Sequence, residues 1–438
     1  MDDTKLINGF SKRDKNKKIE WIIEQFFNGD DASAETLREY WHCDQAQQEV
    51  LDGFSENTIS NFPMPYGVAP NFVIDGKAYI VPMVIEESSV VAAASAAAKF
   101  WLTRGGFKTE VLGTSKIGQL HFKFKGDSGL LKELFADIDM HLRAGVSDLT
   151  KNMEKRGGGI TALELIDFSA EEPNYYQIRG QFETCDSMGA NFINSILEQF
   201  GHLLKDFMIK SDKIADEHKD VQIIMAILSN YTPECLIRAS VSCKVEELGQ
   251  FAGGMGPEEF ADKFATAVKI AHLDSYRATT HNKGIFNGVD AVVLATGNDF
   301  RAIEACGHTY ASKDGKYRSL SHCKVEDGVF TFWIDLPLAV GTVGGLTSLH
   351  PMAKISLAMM GNPSAEELMK IITTVGLAQN FAALRSLVTT GIQQGHMKMH
   401  LQNILIHMNA TAEQKDGAVE YFKDKTVSYS AVRDYLES

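Results

Sequence analysis

The spacing of apolar residues along the chain predicts alternating helices and strands. The first fifty residues are polar and helix-like, with apolar side chains such as Ile19, Ile22 and Phe26 three and four positions apart. Further on, Asp75-Gly76 and Asp327-Gly328 each separate two β-rich runs, and Asp-Gly in this setting predicts a hairpin turn. The pattern therefore indicates helices first and a mixed structure afterwards.

An Ala-rich segment over 88–103, SSVVAAASAAAKFWLT, predicts one further helix. Ser88 or Ser89 is suited to cap its start, and Gly105-Gly106 is suited to end it. Because alanine lets neighbouring elements approach closely, we expect this helix to be buried.

Residues 114–228 have a different character. Strand-like runs such as GQLHFKFKG and YYQIRGQFE alternate with helical runs such as LLKELFADIDMHLRA. This alternation has the length of a small separate domain. We therefore predict an α+β fold in four parts: the first part of a large mixed α/β domain over 1–113, an inserted small domain over 114–228, the rest of the large domain over 229–390, and a helical segment over 391–438.

The composition argues against several classes of partner. The chain has 43 basic and 57 acidic residues among 438, a formal charge of −14, so it gains nothing from general attraction to nucleic acid or anionic membranes. Its six scattered cysteines include no C-x-x-C pair, which fits a reducing compartment. We find neither a signal peptide nor an apolar run of about 18 residues. We therefore expect a cytoplasmic protein that binds no nucleic acid, membrane or metal.

Several common motifs are missing from the sequence. It has no G-x-G-x-x-G after a strand, no G-x-x-x-x-G-K-[ST], no H-E-x-x-H and no G-x-S-x-G. An ordinary Rossmann site, a P-loop ATPase, a zinc protease and an α/β-hydrolase therefore all lack support.

Two polar clusters in the large domain are candidates for chemistry. Glu86-Glu87 precede the Ala-rich helix, where acidic residues either stabilise a helix N-terminus or serve as a general acid. Lys283 lies in the polar stretch 280–284, which is either an exposed loop or a site that stabilises an oxyanion. The residues alone leave both alternatives open.

Two further clusters have the same ambiguity. Asp299 follows the strand-like run VVLA, so it is either a site residue at a strand end or a helix N-cap. His396 and His400 are four residues apart, which places them on one face of a helix. They are either surface histidines or proton donors on a mobile segment. Glycines in 157–159, 186–191 and 341–345 would let the backbone approach a pyrophosphate, or simply form turns.

Taken together, these segments resemble the 3-hydroxy-3-methylglutaryl-coenzyme A (HMG-CoA) reductases, in particular the class II branch. The runs VPMVIEESSVVAAAS, DSMGAN, ATTHNKGIFNGVDAVVLATGND, GTVGG, GLAQN and GIQQGHM occur in the family's order between about Glu56 and His400. An ordered match of this kind is far more specific than any single motif. It favours the functional alternative for each cluster.

The resemblance implies an activity and the residues that carry it. The activity is reduction of HMG-CoA to mevalonate and free CoA by two nicotinamide cofactors, a step of the mevalonate pathway to isoprenoids. Glu87 is expected to donate a proton, and Lys283 to stabilise the oxyanion. Asp299 is expected beside Lys283, and His396 is expected to protonate the departing CoA thiolate.

The resemblance also implies binding residues and partners. The residues expected to bind HMG-CoA are Ser89, Arg277, Asn287, Gln379 and His400. Those expected to bind the cofactor are Asp186, Met188, Gly189, Asn191 and Asn230. The small domain is expected to be a ferredoxin-like cofactor domain, the large domain to have a buried central helix, and the C-terminal segment to be a flap. Active sites between the subunits of a homodimer or higher even oligomer are implied.

Cofactor choice and reaction direction are less strongly determined. Lys151, Lys155 and Arg156 could meet a 2′-phosphate, so NADPH is favoured over NADH. Oxidation of mevalonate in a catabolic pathway is an alternative direction for the same fold. A CoA-binding relative without catalysis is another alternative, although the presence of all four catalytic residues argues against it.

Overall fold

The fold alternates helices and strands. The computed structural model describes residues 5–391, 401–423, 425 and 427–437. The strands are β1 (Tyr66–Ile74), β2 (Lys77–Val84), β3 (Lys108–Val111), β4 (Lys116–Lys123), β5 (Gly159–Asp167), β6 (Tyr175–Glu183), β7 (Gln222–Ser229), β8 (Leu236–Lys244), β9 (Ser321–Glu326) and β10 (Val329–Pro337). The helices are α1 (Lys15–Phe26), α2 (Asp31–Glu39), α3 (Gln45–Asp52), α4 (Val90–Leu102), α5 (Ser128–Gly145), α6 (Ser147–Glu154), α7 (Ala190–Lys210), α8 (Pro257–Leu273), α9 (Ser275–Ala295), α10 (Phe300–Ala311), α11 (Gly345–Leu349), α12 (Pro351–Met359) and α13 (Ala365–Val388), followed by Ala412–Tyr421 and Tyr429–Leu436.

Both predicted hairpins are confirmed. Asp75-Gly76 joins β1 to β2, and Asp327-Gly328 joins β9 to β10, with antiparallel pairing in each case. All four turn residues have positive φ, between 51° and 85°. This is the geometry of a type I′ turn, which Asp-Gly tolerates and most other pairs do not.

The small domain has the predicted ferredoxin-like topology. Its elements run β4, α5, α6, β5, β6, α7 and β7, and its antiparallel sheet has the order β5-β6-β4-β7. Apolar side chains of α5 and α7, including Leu134 and Phe200, pack with Leu120 and Ile178 of the sheet into one core. The chain enters from β3 and leaves into β8, which pair with each other in the large-domain sheet. The domain boundaries themselves stay a prediction.

The large domain is built around α13, the buried central helix that the resemblance implied. Its four-stranded sheet has the order β3-β8-β10-β9, and α13 packs against α4, α9 and this sheet. Helices α9 and α13 cross closely, since a Cβ at Gly288 would lie 2.9 Å from the Val375 carbonyl oxygen. By length and composition α13 is apolar enough to cross a membrane, but most of its apolar window is buried in this core.

Two local expectations are wrong. Residues 280–284 are not an exposed loop, and the run VVLA is not a strand, because both belong to the single helix α9. The apolar side chains Ile285, Val289 and Val292 are three and four residues apart, and all are buried. That spacing is the buried face of a helix, so the strand-like composition of the run was misleading.

Candidate functional site

The polar stretch in the middle of α9 is held by buried hydrogen bonds. His281 Nε2 lies 2.6 Å from Ser321 Oγ, which donates to Asn380 Oδ1 at 2.8 Å. Asn282 donates to the Arg318 carbonyl oxygen and accepts from Leu320 N. Burial lowers the pKa of His281 to about 3, so the imidazole is neutral. These two inward side chains fix α9, and the next residue along the chain, Lys283, points outwards.

Lys283 meets Glu87 at the start of α4. Its Nζ donates to Glu87 Oε2 at 3.3 Å, and Ser89 Oγ donates to Glu87 Oε1 at 3.2 Å. The side chains of Lys283 and Glu87 are 63% and 35% exposed, so both are accessible to a ligand. Ser89 is the N-cap residue of α4, but its hydroxyl makes no capping bond. The predicted capping role is thus replaced by a contact with Glu87.

Three further residues predicted to bind the substrate lie on α9 and α13. Arg277, in the first turn of α9, is half-buried, and desolvation lowers its pKa. Within the described residues its guanidinium forms no ion pair, so its charge is available to an anion. Asn287 follows Lys283 by one helical turn. Gln379 of α13 is 5% exposed, and its Oε1 has no hydrogen-bond partner in the described part of the chain.

Asp299 lies in a different environment. It is the N-cap of α10, accepting from the Arg301 and Ala302 backbone N–H groups at 3.0 and 3.3 Å. The Arg301 side chain also donates to both carboxylate oxygens, at 3.0 and 2.9 Å. Hydrogen bonding to Arg301 lowers the pKa of Asp299. Asp299 is therefore a helix N-cap. This does not conflict with a role in a functional site, because the residue also lines a cleft.

Asp299 lines a cleft with a volume of about 1660 Å³, which two of the glycine-containing segments, 186–191 and 341–345, also line. The residues that line it come from 40–64, 187–192, 294–301 and 341–353, together with Tyr66 and Val84. They include Met188, Gly189 and Asn191, which were predicted to bind the cofactor. Gly189 has φ 89° and sits directly before α7, so the N-terminus of a 21-residue helix opens into the cleft. Backbone N–H groups there are suited to an anionic group such as a pyrophosphate.

The other two predicted cofactor residues lie outside the lining of this cleft. Asp186 directs its carboxylate to the backbone of Ala365, at 2.8 Å. Asn230 lines a separate cavity of about 10 Å³ beside Met188, a space of one water molecule. His396 and His400 lie outside the described residues, and the roles assigned to them stay predictions.

Lys283 and Asp299 do not meet within one chain. Lys283 precedes the last residue of α9 by twelve positions, which is about 18 Å of helix axis, and Asp299 lies four residues further on. Between them runs an open face of α9, along which partly exposed residues recur every three or four positions. We define this open face as Tyr276, Thr280, Lys283, Asn287, Asp290 and Leu294. It leads from the Glu87–Lys283 pair to the cleft, because Leu294 also lines the cleft.

Sequence reasoning missed two features of this region. Arg301, the partner of Asp299, is only two residues away and was visible in the sequence. Asp290 is a carboxyl on the open face, where burial, together with the negative charge of Glu304 on α10, raises its pKa to about 8. An acidic residue one turn beyond Asn287, inside an apolar helix, was the available signal.

Comparisons with known proteins identify the family of this chain. The family model described as hydroxymethylglutaryl-coenzyme A reductase matches residues 16–401. The chain is 36% identical over 392 residues to the 3-hydroxy-3-methylglutaryl-coenzyme A reductase of Archaeoglobus fulgidus, covering 89% of this chain and 85% of that protein. It is 36% identical over 386 residues to a probable reductase of Borreliella burgdorferi, with coverage of 87% and 83%.

Solved structures give the same result. The class II 3-hydroxy-3-methylglutaryl-CoA reductase of Streptococcus pneumoniae, bound to NADPH in open conformations, superposes with a TM-score of 0.72 at 36% identity, over 93% of this chain and 97% of that one. A second structure of the reductase from the same organism also gives 0.72, over 98% and 99%. The chain therefore belongs to the hydroxymethylglutaryl-coenzyme A reductase family.

Proposed function

We propose that this chain reduces HMG-CoA to mevalonate and free CoA, in two hydride transfers from a nicotinamide cofactor, as a step of the mevalonate pathway. The observation that carries the proposal is the contact between Lys283 and Glu87, at 3.3 Å, on a chain of this oxidoreductase family. It joins a cation that could stabilise an oxyanion to a carboxyl that could supply a proton. Both are needed when a thioester carbonyl accepts a hydride.

The proposed chemistry assigns a role to each side chain. Lys283 stabilises the oxyanion that forms as the first hydride reaches the thioester carbon, and losing such a contact costs about 3–4 kcal/mol. Glu87, oriented by Ser89, donates a proton to the oxygen of the aldehyde during the second reduction. His396 protonates the CoA thiolate, and His400 contacts a CoA phosphate. These last two roles rest on the family resemblance alone.

The substrate-binding roles have independent support from burial and charge. Arg277 is a half-buried cation that forms no ion pair within the described residues, which suits the free carboxylate of a 3-hydroxy-3-methylglutaryl group. Gln379 has a buried amide oxygen without a partner in the same part of the chain, which suits a hydroxyl donor. Asn287 lies on the open face of α9, one helical turn beyond Lys283.

On this proposal, a complete active site requires residues from two copies of the chain. Asp299 follows the end of α9, which lies about 18 Å along the helix axis from Lys283 of the same chain. A two-fold interface would pair the Glu87–Lys283 half of each subunit with the Asp299 half of its partner, because such interfaces are self-complementary. We therefore propose a homodimer or higher even oligomer, located in the cytoplasm.

The cleft around Met188, Gly189 and Asn191 is the proposed cofactor site, and NADPH is the proposed cofactor. The S. pneumoniae relative is bound to NADPH. The glycine turn 157–159 also packs beside the loop 186–191, since Cys185 Sγ, directly before this loop, donates to the Arg156 carbonyl oxygen at 3.3 Å. This contact brings Arg156 and Lys155 to the same end of the small domain as the loop, where they suit a 2′-phosphate.

The test is a reductase assay with purified protein. We expect absorbance of NADPH to fall when HMG-CoA is added, with two cofactors oxidised for each mevalonate formed. NADH should be used with a higher KM, because it lacks the 2′-phosphate. If neither cofactor is oxidised in the presence of HMG-CoA, the proposal is rejected. A lower KM for NADH would reject the cofactor assignment alone.

A further inference from the structure

The cofactor loop, residues 186–191, is fastened to the large domain. The carboxylate of Asp186 accepts a 2.8 Å hydrogen bond from Ala365 N, at the first residue of α13. The Asp186 carbonyl oxygen accepts from Thr342 N at 2.9 Å. The first N–H groups of a helix have no partner within the helix, and its N-terminus carries partial positive charge. A carboxylate at this position therefore makes a favourable bond between the two domains.

The contact continues from the loop to Asp299. A Cβ at Gly341 would lie 2.6 Å from Met188 N, so the two backbones touch. Gly341 N donates to Asn298 Oδ1 at 2.9 Å, and Asn298 directly precedes Asp299. Hydrogen bonds and close packing thus connect the cofactor loop to the N-cap of α10.

The loop is held internally by bonds that do not involve the Asp186 side chain. Thr184 Oγ1 donates to the Ser187 carbonyl oxygen at 2.6 Å, and Ser187 Oγ donates back to the Thr184 carbonyl oxygen at 3.0 Å. Of the loop, residues 187–191 line the cleft while Asp186 does not. The Asp186 carboxylate therefore attaches the loop to the large domain, whereas the Thr184–Ser187 hydrogen bonds maintain the conformation of the loop.

We propose that Asp186 is a positioning residue, which fixes the cofactor loop on the large domain through Ala365 and affects cofactor binding through that bond. Its carboxylate makes no contact with the cofactor on this account, in contrast to the role implied by the family motif. The inference rests on the proposed function, because it takes the cleft as the NADPH site.

The experiment removes each end of the bond separately. Asp186→Ala removes the acceptor, while Asp186→Asn keeps an oxygen at the same place. Ala365→Pro removes the donor, and Ser364 already has the extended backbone, φ −64° and ψ 168°, that precedes a proline. Proline is also favoured at the first position of a helix. Affinity is measured as the Kd for NADPH from its fluorescence, and as KM against kcat in the reductase assay.

We expect Asp186→Ala and Ala365→Pro each to weaken NADPH binding by roughly fivefold to tenfold, the net scale of one ordinary hydrogen bond. The KM for HMG-CoA and kcat should change little. Asp186→Asn should bind NADPH nearly as well as the wild type. The Asp186→Ala, Ala365→Pro double variant should be no weaker than either single variant, because both remove the same bond.

Other results would overturn the inference. If Asp186→Asn binds as weakly as Asp186→Ala while Ala365→Pro is normal, the carboxylate contacts the cofactor directly. If Asp186→Ala binds normally, the bond has no role in cofactor binding. If Ala365→Pro does not fold, Asp186→Asn that binds as weakly as Asp186→Ala still overturns the inference, because the bond to Ala365 N needs only an acceptor oxygen. Because the fluorescence titration needs no turnover, a wild type that binds NADPH without reducing HMG-CoA rejects the proposed function and leaves this inference standing.

Discussion

The two groups of predicted catalytic residues lie in different surroundings within one chain. Glu87 and Lys283 contact each other at 3.3 Å, on α4 and α9, with substrate-type residues on the same helices. Asp299 pairs instead with Arg301, in a cleft that it shares with the cofactor loop. On the proposed function, the first group binds the thioester and the second group lies where the dinucleotide binds. A single chain would then carry two half-sites, separated by the open face of α9.

The largest effect should come from the substrate half. Replacing Lys283 with alanine should lower kcat by about 10²–10³-fold, because an oxyanion-stabilising group acts mainly on the transition state. NADPH binding, which belongs to the other half, should change little. Steady-state kinetics and the fluorescence titration measure the two effects separately.

The matched control is Lys269→Ala, which removes an exposed lysine from α8. It should leave kcat within twofold or so of the wild type. Retained turnover in Lys283→Ala would reject its assigned role, and equal losses in both variants would point to a general loss of charge or folding.

A smaller effect is expected in the cofactor half, on the affinity for NADPH and not on kcat. Gly341→Ala places a Cβ 2.6 Å from Met188 N, so the cofactor loop must shift. We expect the Kd for NADPH to rise by about tenfold or more, since displacements of about 1 Å are costly in a site. Gly201→Ala in α7 is the control, because its nearest neighbours are at an ordinary 3.5 Å. Unchanged NADPH affinity in Gly341→Ala would separate the GTVGG segment from cofactor binding.

The smallest effect concerns Asp290, on the open face between the halves. Its pKa in the folded chain is about 8, against 3.8 for an ordinary Asp, because it is buried near Glu304. The unfolded chain loses this proton near pH 4, whereas the folded chain keeps it up to about pH 8. The free energy of unfolding should therefore fall as pH rises through this window.

Asp290→Asn cannot ionise, so this decline should be reduced in the variant. We expect it to be more stable than the wild type at pH 8, because only in the wild type does ionisation of this carboxyl favour the unfolded chain. Near pH 4 the two proteins should be similar. Thermal unfolding at both pH values measures the difference, and parallel pH profiles would show that Asp290 is not the cause.

Local signals in the sequence were sufficient for much of the fold. Asp75-Gly76 and Asp327-Gly328 define their hairpins because the turn depends on two residues only. The period-two and period-3.6 patterns of residues 114–228 identified the strands and helices of the small domain. The alternation of helices with strands and the family's motifs then indicated the ferredoxin-like order of its sheet, which the strand pairing confirms.

The polar centre of α9 could not be predicted in this way. His281 and Asn282 look like loop residues, and their partners Ser321, Arg318 and Asn380 are distant in sequence. The family resemblance alone implied Asp299 beside Lys283. In the structure α9 continues for about 18 Å of helix axis beyond Lys283, and Asp299 follows its last residue by four positions. Separation of the half-sites therefore became visible only with the structure.

The most direct test of the two-copy site is to mix two inactive variants. On this account, a heterodimer of Lys283→Ala and Asp299→Ala contains one site with both changes and one site with neither. Random mixing after reversible dissociation should thus restore about a quarter of the wild-type activity. Mixing Lys283→Ala with Glu87→Gln should restore none, because both changes lie in the same half. If the first mixture stays inactive although heterodimers are demonstrated, the catalytic set is not shared between two chains and the account is wrong.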